Sequence, residues 1–318
     1  MKRSAAPKKA SNAPERTFDI VGIGRNSWDR LVVVANYPPA DAKVEASTLD
    51  IQPGGQVATA LVAASRLGAR TRYLGKFGDD AGGRAVRASL SREGIDLSGC
   101  RVLTGVSNQS AFIVVDRKHH TRNVFSHGDP RLRIESDDFP HEAVTSGRIL
   151  YLGGRNPREM IGYARTGRKA GCVVTVDADS AADGAAELLA HAHVVICSEP
   201  FVAEQTGERS IRKGLREISK LGPEFVSVTR GSRGAIALYR DRFFEQPAFS
   251  VDVVDTTGAG DVFHGALLVG ILERRPIPDL LRLANAAAAL KCRCLGGQKG
   301  IAKRTDVNRF LASHPANP

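Results

Sequence analysis

With 318 residues, the chain is long enough for one large α/β domain or two ordinary ones. Its 42% hydrophobic and 25% charged residues are those of a globular protein, and no run approaches the roughly 18 apolar residues of a membrane span. A membrane protein, a disordered chain and a fibrous repeat are thereby excluded. The net charge of +11 is uneven, because Lys2, Arg3, Lys8, Lys9 and Arg16 against Glu15 place +4 in the first 17 residues. That opening is rich in Ala, Ser, Pro and Lys and reads as a disordered basic tail before a domain at 18–318. The remaining cations are spread over many segments with few aromatics between them, so a solvated basic surface is expected rather than a nucleic-acid face. Cys100, Cys172, Cys197, Cys292 and Cys294 are odd in number and lack CxxC spacing, and they read as reduced core thiols of a cytoplasmic protein.

In chain order, β-rich runs alternate with helical ones. A strand at 19–24 is followed by a helix at 55–67, a strand at 71–77 and a helix at 82–92. After an interruption come a strand at 148–152, a helix at 158–170 and strands at 173–177 and 193–197. A mostly parallel sheet with helices on both faces is the fold class this grammar implies. Two stretches depart from it: 31–47 and 107–127 hold strands at 31–34 and 111–115 without crossover helices. They predict a small separate sheet, placed as a lid over a cleft at the strand ends. The last third predicts a strand, turn and strand at 225–239 and a strand at 251–254. An apolar helix at 262–272, an Ala-rich helix at 278–294 stopped by Gly296 and Gly297, and a short helix at 306–313 complete it.

The run from Asp255 to Asp261, DTTGAGD, follows a strand and opens a helix. Amides freed by Gly258 and Gly260 around Ala259, at the positive end of a helix, form a nest for a phosphate bearing developing charge. Asp261 beside it is either a helix-stabilising charge or the base that accepts a proton from an attacking hydroxyl, and the adjacent nest favours the second. Neither a GxxxxGK[ST] loop nor a GxGxxG fingerprint occurs, so the phosphate binder is of another kind.

This run resembles the C-terminal signature of the ribokinase-like (PfkB-type) sugar kinases, and the likeness extends over nearly the whole chain from Phe18. Gly54 and Gly55, followed by Ala58, Ala63, Ala64, Arg66, Leu67 and Gly68, are similar to the family's glycine-pair signature. The segment Val228, Thr229, Arg230, Gly231, Ser232, Arg233, Gly234 is similar to its nucleotide turn. The resemblance implies a three-layer α/β/α sandwich with a β lid, ATP with Mg2+ as donor, and Asp261 as catalytic base. It also implies ATP contacts at Ser198, Thr229, Gly231, Gly234 and Asn285, magnesium support at Glu199, and potassium at Asp255 near Gly296 and Gly297. Two departures stand out: Thr59 replaces a sugar-binding Asn, and Ser198-Glu199-Pro200-Phe201 replaces an Asn-x-x-Glu segment.

Within the family, the strings at 251–267 and 289–300 look most like the bacterial sulfofructose kinases, which phosphorylate the 1-hydroxyl of 6-deoxy-6-sulfofructose. An anionic sugar requires cations held away from Asp261, and Lys43 and Arg155 are placed for that, with Ser126 as a further polar contact. By resemblance Asp29, Gly54 and Gly55 meet the sugar hydroxyls. His264, one turn beyond Asp261, is expected to pack or cap locally, and Trp28 either lines the cleft or fills the core. Other acceptors compatible with the likeness are fructose, 2-keto-3-deoxygluconate, a phosphosugar or ribose, and the rival from another class is an inactive sugar or nucleotide sensor. Family lids often pair between subunits, which implies a homodimer. No membrane partner is expected.

Overall fold

The computed structural model describes residues 16–315, so most of the expected tail lies outside the described residues. Arg16 belongs to the domain, since its guanidinium donates to the Gly147 carbonyl at 2.5 Å and contacts Cys172 Sγ at 2.8 Å.

The chain begins with strands β1 (Phe18–Ile23), β2 (Ser27–Val34) and β3 (Thr48–Gly54), helix α1 (Gln56–Arg66), strands β4 (Thr71–Leu74) and β5 (Lys76–Gly78), and helix α2 (Ala81–Arg92). Next come β6 (Arg101–Leu103), β7 (Ser110–Asp116), β8 (Thr121–His127), α3 (His141–Val144), β9 (Gly147–Gly153), α4 (Pro157–Lys169) and β10 (Val173–Ala178). They are followed by α5 (Ala185–Ala190), β11 (Val194–Ser198), α6 (Glu199–Thr206), α7 (Ile211–Lys220), β12 (Phe225–Thr229), β13 (Ala235–Tyr239) and β14 (Arg242–Gln246). Helices α8 (Ala259–Leu272), α9 (Ile277–Cys292) and α10 (Arg304–Ser313) close the fold.

Eight strands form the main sheet in the order β14-β13-β12-β11-β10-β9-β1-β4, parallel except for the antiparallel pairs β12–β13 and β13–β14. Its strands are apolar on both faces because both are covered. Ile20, Tyr151 and Ile196 pack with α1, α2, α8, α9 and α10, whereas Val21, Leu150 and Val195 pack with α3 to α7. This is the expected three-layer α/β/α sandwich. Helix α8 is buried almost all round, which explains its lack of a polar stripe.

A second sheet has the order β3-β2-β7-β8 and its own apolar layer of Leu31, Val33, Ala111, Ile113 and Val115. It includes the expected strands at 31–34 and 111–115, but its boundaries differ from 31–47. Residues 35–47 are a loop, and β3 and the exposed edge strand β8 join the sheet. The expected strand at 71–77 divides at Gly75, where a side chain would strike the Tyr73 ring, and its second half pairs with β6. The expected strand at 251–254 does not form, since Val254 N–H bonds the Cys292 carbonyl at the end of α9 instead of a strand. All five cysteines are free; Cys294 is exposed rather than a core thiol, because α9 ends at Cys292. Among the described residues, no helix is long and apolar enough to cross a membrane.

Candidate active site

The DTTGAGD segment is a hydrogen-bonded loop that aims α8. Asp255 is buried; its Oδ1 accepts from the Thr257 amide at 2.9 Å and hydroxyl at 2.8 Å, and its Oδ2 accepts from the Gly296 amide at 2.7 Å. Gly258 is the residue before the helix, at φ 75° and ψ 1°, and a Cβ there would lie 2.8 Å from Gly297 Cα. A side chain is therefore excluded twice, by the left-handed backbone and by the Gly296–Gly297 turn packed against it. Gly260 is helical and a Cβ on it would meet nothing within 4 Å. The nest thus depends on Gly258, and Gly260 only keeps the approach open. The Ala259 amide is taken by the Thr256 carbonyl at 3.1 Å, so the first-turn amides of Gly260 and Asp261 are the ones without an intrahelical acceptor.

Asp261 stands half-buried in this first turn. Burial, and then the neighbouring Asp177 carboxylate, push its pKa up to about 7, while His264 and Arg122 oppose the rise. A carboxylate poised there can take a proton near neutral pH. His264 does more than pack. Its Nδ1 lies 2.9 Å from the Tyr151 hydroxyl and 3.5 Å from Asp177 Oδ2, and the Tyr151 hydroxyl is 3.2 Å from the same carboxylate oxygen. Burial disfavours the imidazolium, yet Asp177, Asp261 and Asp179 together raise the His264 pKa. Asp177 comes from the end of β10, in register with Gly153 on β9, a position without a sequence signal. Arg122 was also missed: from strand β8 of the second sheet it reaches Thr256 Oγ1 at 3.1 Å, bringing a guanidinium to the nest.

The glycine pair is explained by close approach. A Cβ on Gly54 would fall 1.9 Å from Asp29 Oδ2, and one on Gly55, at φ 95°, would fall 2.4 Å from Asn26 Cα. Asp29 is buried, accepts from Ser27 Oγ at 2.5 Å, and is raised by burial to about 6. Trp28 packs partly buried against the main core, beside Gly82. The Thr59 hydroxyl accepts from Gln298 at 3.2 Å and ties α1 to the loop after α9.

Arg155 lines a small cleft with Gly24, Arg25, Gln56 and Asn156. Arg25 also lines the adjoining cleft of about 240 Å³ with Ser126, Asp129 and Arg133. Burial and the charges of Arg155 and Arg133 lower the Arg25 pKa, while Asp179 raises it. Asp179 accepts from Gln56 Nε2 at 2.6 Å and is pushed up by burial and Asp177. Arg25, which no sequence pattern marked, thus joins Arg155 and Ser126. Lys43 does not: it is exposed in the 35–47 loop and lines neither cleft, because the sheet starts beyond it.

At the end expected to hold nucleotide, Ser198 and Thr229 are register partners where β11 and β12 finish, and Thr229 leads into the turn with Gly231 at φ 56° and Gly234 at φ 84°. Gly234 packs on the Gln246 carbonyl, and Asn285 Nδ2 donates to the carbonyls of Gln246 at 2.9 Å and Pro247 at 3.1 Å. Asn285 therefore braces this rim through backbone. Glu199 is engaged by Arg230 at 3.3 Å and by Arg233, so its carboxylate pins the turn instead of standing free for magnesium. Among the described residues, no group of three or more His, Cys, Asp or Glu could hold a metal ion.

A helix-terminal nest, an adjacent tunable carboxylate and a glycine-turn shelf are parts that phosphoryl transfer calls for, set in an α/β sandwich. The pfkB family carbohydrate kinase profile matches residues 19–304, and the chain belongs to this family of carbohydrate kinases. It is 25% identical over 296 residues to a ribokinase of Haemophilus influenzae, covering 91% of this chain and 97% of the relative. It is 28% identical over 286 residues to a fructokinase of Klebsiella pneumoniae, covering 81% and 92%. The structure of Arabidopsis thaliana ribokinase complexed with ribose and ATP is similar with a TM-score of 0.80 and 25% identity, covering 92% of this chain and 98% of that one.

Proposed function

We propose that this enzyme phosphorylates an anionic ketose, with 6-deoxy-6-sulfofructose the leading acceptor and its 1-hydroxyl the nucleophile. The observation that carries this reading is the Arg25, Arg133 and Arg155 group around the clefts that also hold Ser126 and Gln56. Three guanidiniums close enough to lower the pKa of one of them are a stable arrangement once an anion joins them. Asp29 and the Gly54–Gly55 backbone hold the sugar hydroxyls between this anion end and Asp261. Asp261 takes the proton as the O–H bond breaks, the oxygen bonds the γ-phosphorus, and the P–O bond to ADP breaks. The Gly260 and Asp261 amides receive the charge that develops on the transferring group. Arg122, brought over by the second sheet acting as a lid, adds a cation to the nest. Magnesium accompanying ATP neutralises the phosphates.

The same sheet supports a homodimer formed through the lids. Ile51, Phe112 and Phe125 are exposed large hydrophobics in one cross-strand row with Arg30, beside the unpaired edge of β8. The free cysteines suit a cytoplasmic enzyme.

The test of the acceptor is ADP formation from MgATP against sulfofructose, fructose, 2-keto-3-deoxygluconate, phosphosugars and ribose. Arg25→Met and Arg155→Met are expected to raise KM for sulfofructose by about 10 to 200 fold, with a much smaller effect on neutral fructose. Equal losses for both sugars, or a wild-type preference for fructose, would refute the anion site. A folded protein without turnover on any of them would favour the sensor.

A further inference from the structure

Lys291, in the last turn of α9, is fully buried, at 0% exposure. A lysine is almost never found so deep without a partner. Its Nζ donates to the Asp255 backbone carbonyl at 2.8 Å, at the first residue of the loop that forms the nest. The Asp255 carboxylate itself accepts three hydrogen bonds from Thr257 and Gly296, as described above, and the amides of Val254 and Asp255 point to the Cys292 carbonyl at 2.8 and 3.2 Å. One helix end, one turn and one loop therefore converge on a buried pair of opposite charges, Asp255 and Lys291.

This arrangement does not fit the potassium ion expected at Asp255. The Asp255 carbonyl beside that position already receives an ammonium proton, Asp255 Oδ1 accepts from two donors and Oδ2 from one, and the buried carboxylate already has a buried ammonium to balance it. A further cation would leave a net positive charge with no water to disperse it. We propose that the Lys291 ammonium is the resident cation of the anion-binding loop, a positioning residue that holds Asp255 and hence Gly258 in place, so that this kinase needs no monovalent metal. Burial lowers the Lys291 pKa and Arg122 adds to that, whereas Asp255, Cys292 and Cys294 favour the ammonium.

The first experiment uses the wild-type protein. Melting temperature is compared in potassium chloride and tetramethylammonium chloride at equal ionic strength, and so is the rate of ADP formation from MgATP with sulfofructose or fructose. The expected difference is under about 1 °C in melting and under about twofold in rate, since an ion that does not bind the native state cannot stabilise it. A potassium-specific gain above either limit would overturn the proposal. The melting comparison decides the point even if neither sugar is an acceptor, which would instead count against the proposed substrate.

The second experiment uses Lys291→Met and Lys291→Ala. Loss of the cation is expected to lower kcat by about 10 to 100 fold with the acceptor KM little changed, as befits a group acting through the nest. Potassium or ethylammonium should restore part of kcat and raise the melting temperature in Lys291→Ala, where a cavity can admit them, and not in wild type. Unchanged kcat in Lys291→Met, or a loss in Lys291→Ala that no cation repairs, would refute the resident-cation role. If both variants fail to fold, the wild-type comparison stands as the test.

Discussion

Replacing Asp261 by Asn tests the base and its electrostatics together. Its pKa lies at about 7 against an ordinary 3.8, because burial and Asp177 penalise the carboxylate. A raised pKa means that the folded protein holds the proton more tightly than the unfolded chain, so stability falls as pH rises from about 4 to about 7 and the penalty is complete above that. A shift of that size, discounted for partial exposure and for the coupling with His264, corresponds to about 1 to 3 kcal/mol. Asp261→Asn removes the charge and the penalty. Its melting temperature should exceed that of wild type by about 2 to 6 °C at pH 8, with a clearly smaller gap at pH 5. Phosphoryl transfer should fall by about 100 to 10,000 fold with ATP binding retained, since the group acts on the acceptor hydroxyl. In wild type, kcat should rise with pH through about 7 as the base ionises. Differential scanning calorimetry over pH, paired with initial rates and ATP titration, reads all three. Activity within about threefold of wild type, or a melting gap that does not widen with pH, would refute the reasoning.

Gly258→Ala should lose stability by about 1 to 3 kcal/mol and most of its activity, from the left-handed backbone and the contact with Gly297; a normal melting curve would show that the turn tolerates a side chain. Gly260→Ala should melt like wild type because its Cβ meets nothing, and a melting loss comparable to that of Gly258→Ala would reverse the assignment of the two glycines. Arg122→Met should lower kcat by about 10 to 100 fold without loss of stability, and an unchanged kcat would remove the second sheet from the chemistry. Phe112→Glu should convert a dimer to a monomer in analytical ultracentrifugation, whereas a monomeric wild type would discard lid pairing.

The parts of the site that a sequence displays are those made by one continuous segment. DTTGAGD is legible because a phosphate nest needs glycine, a helix start and a carboxylate within seven residues, and the Gly54–Gly55 pair is legible because two backbones must meet Asp29 and Asn26. The alternating pattern likewise showed the main sheet, although β14 and the short helices α5 to α7 were not resolved as elements, and the lid edges were misplaced where Lys43 looked useful. Asp177, Arg25 and Arg122 carry no local pattern. Asp177 and Arg122 come to Asp261, and Arg25 to Asp179, from segments distant in sequence, so only the topology makes them neighbours. Lys291 was hidden differently: a lysine in a last helical turn is the ordinary complement to the helix dipole, and nothing local distinguishes a buried one.

The charges of the cleft make orientation and specificity one property. Asp177, Asp179 and Asp261 act on one another at the reacting end, and burial and the Asp177 charge raise Asp179 and Asp261 above the usual carboxylate range. Arg25 and Arg155 stand on the opposite side of Asp179 in this electrostatic chain, each favouring its ionised form. An anionic sugar entering backwards would place its charge beside these three carboxyl groups and drive the Asp261 pKa higher still, disabling the base it needs. Entering with its anion toward the arginines, it leaves the hydroxyl facing Asp261 and relieves the repulsion among the guanidiniums. On the proposed anionic acceptor, discrimination would come from the penalty on the wrong orientation as much as from contacts in the right one. A neutral ketose feels neither force, so it can bind in both directions and only a fraction of its complexes present a hydroxyl to the base. Its handicap should therefore appear in kcat as well as in KM.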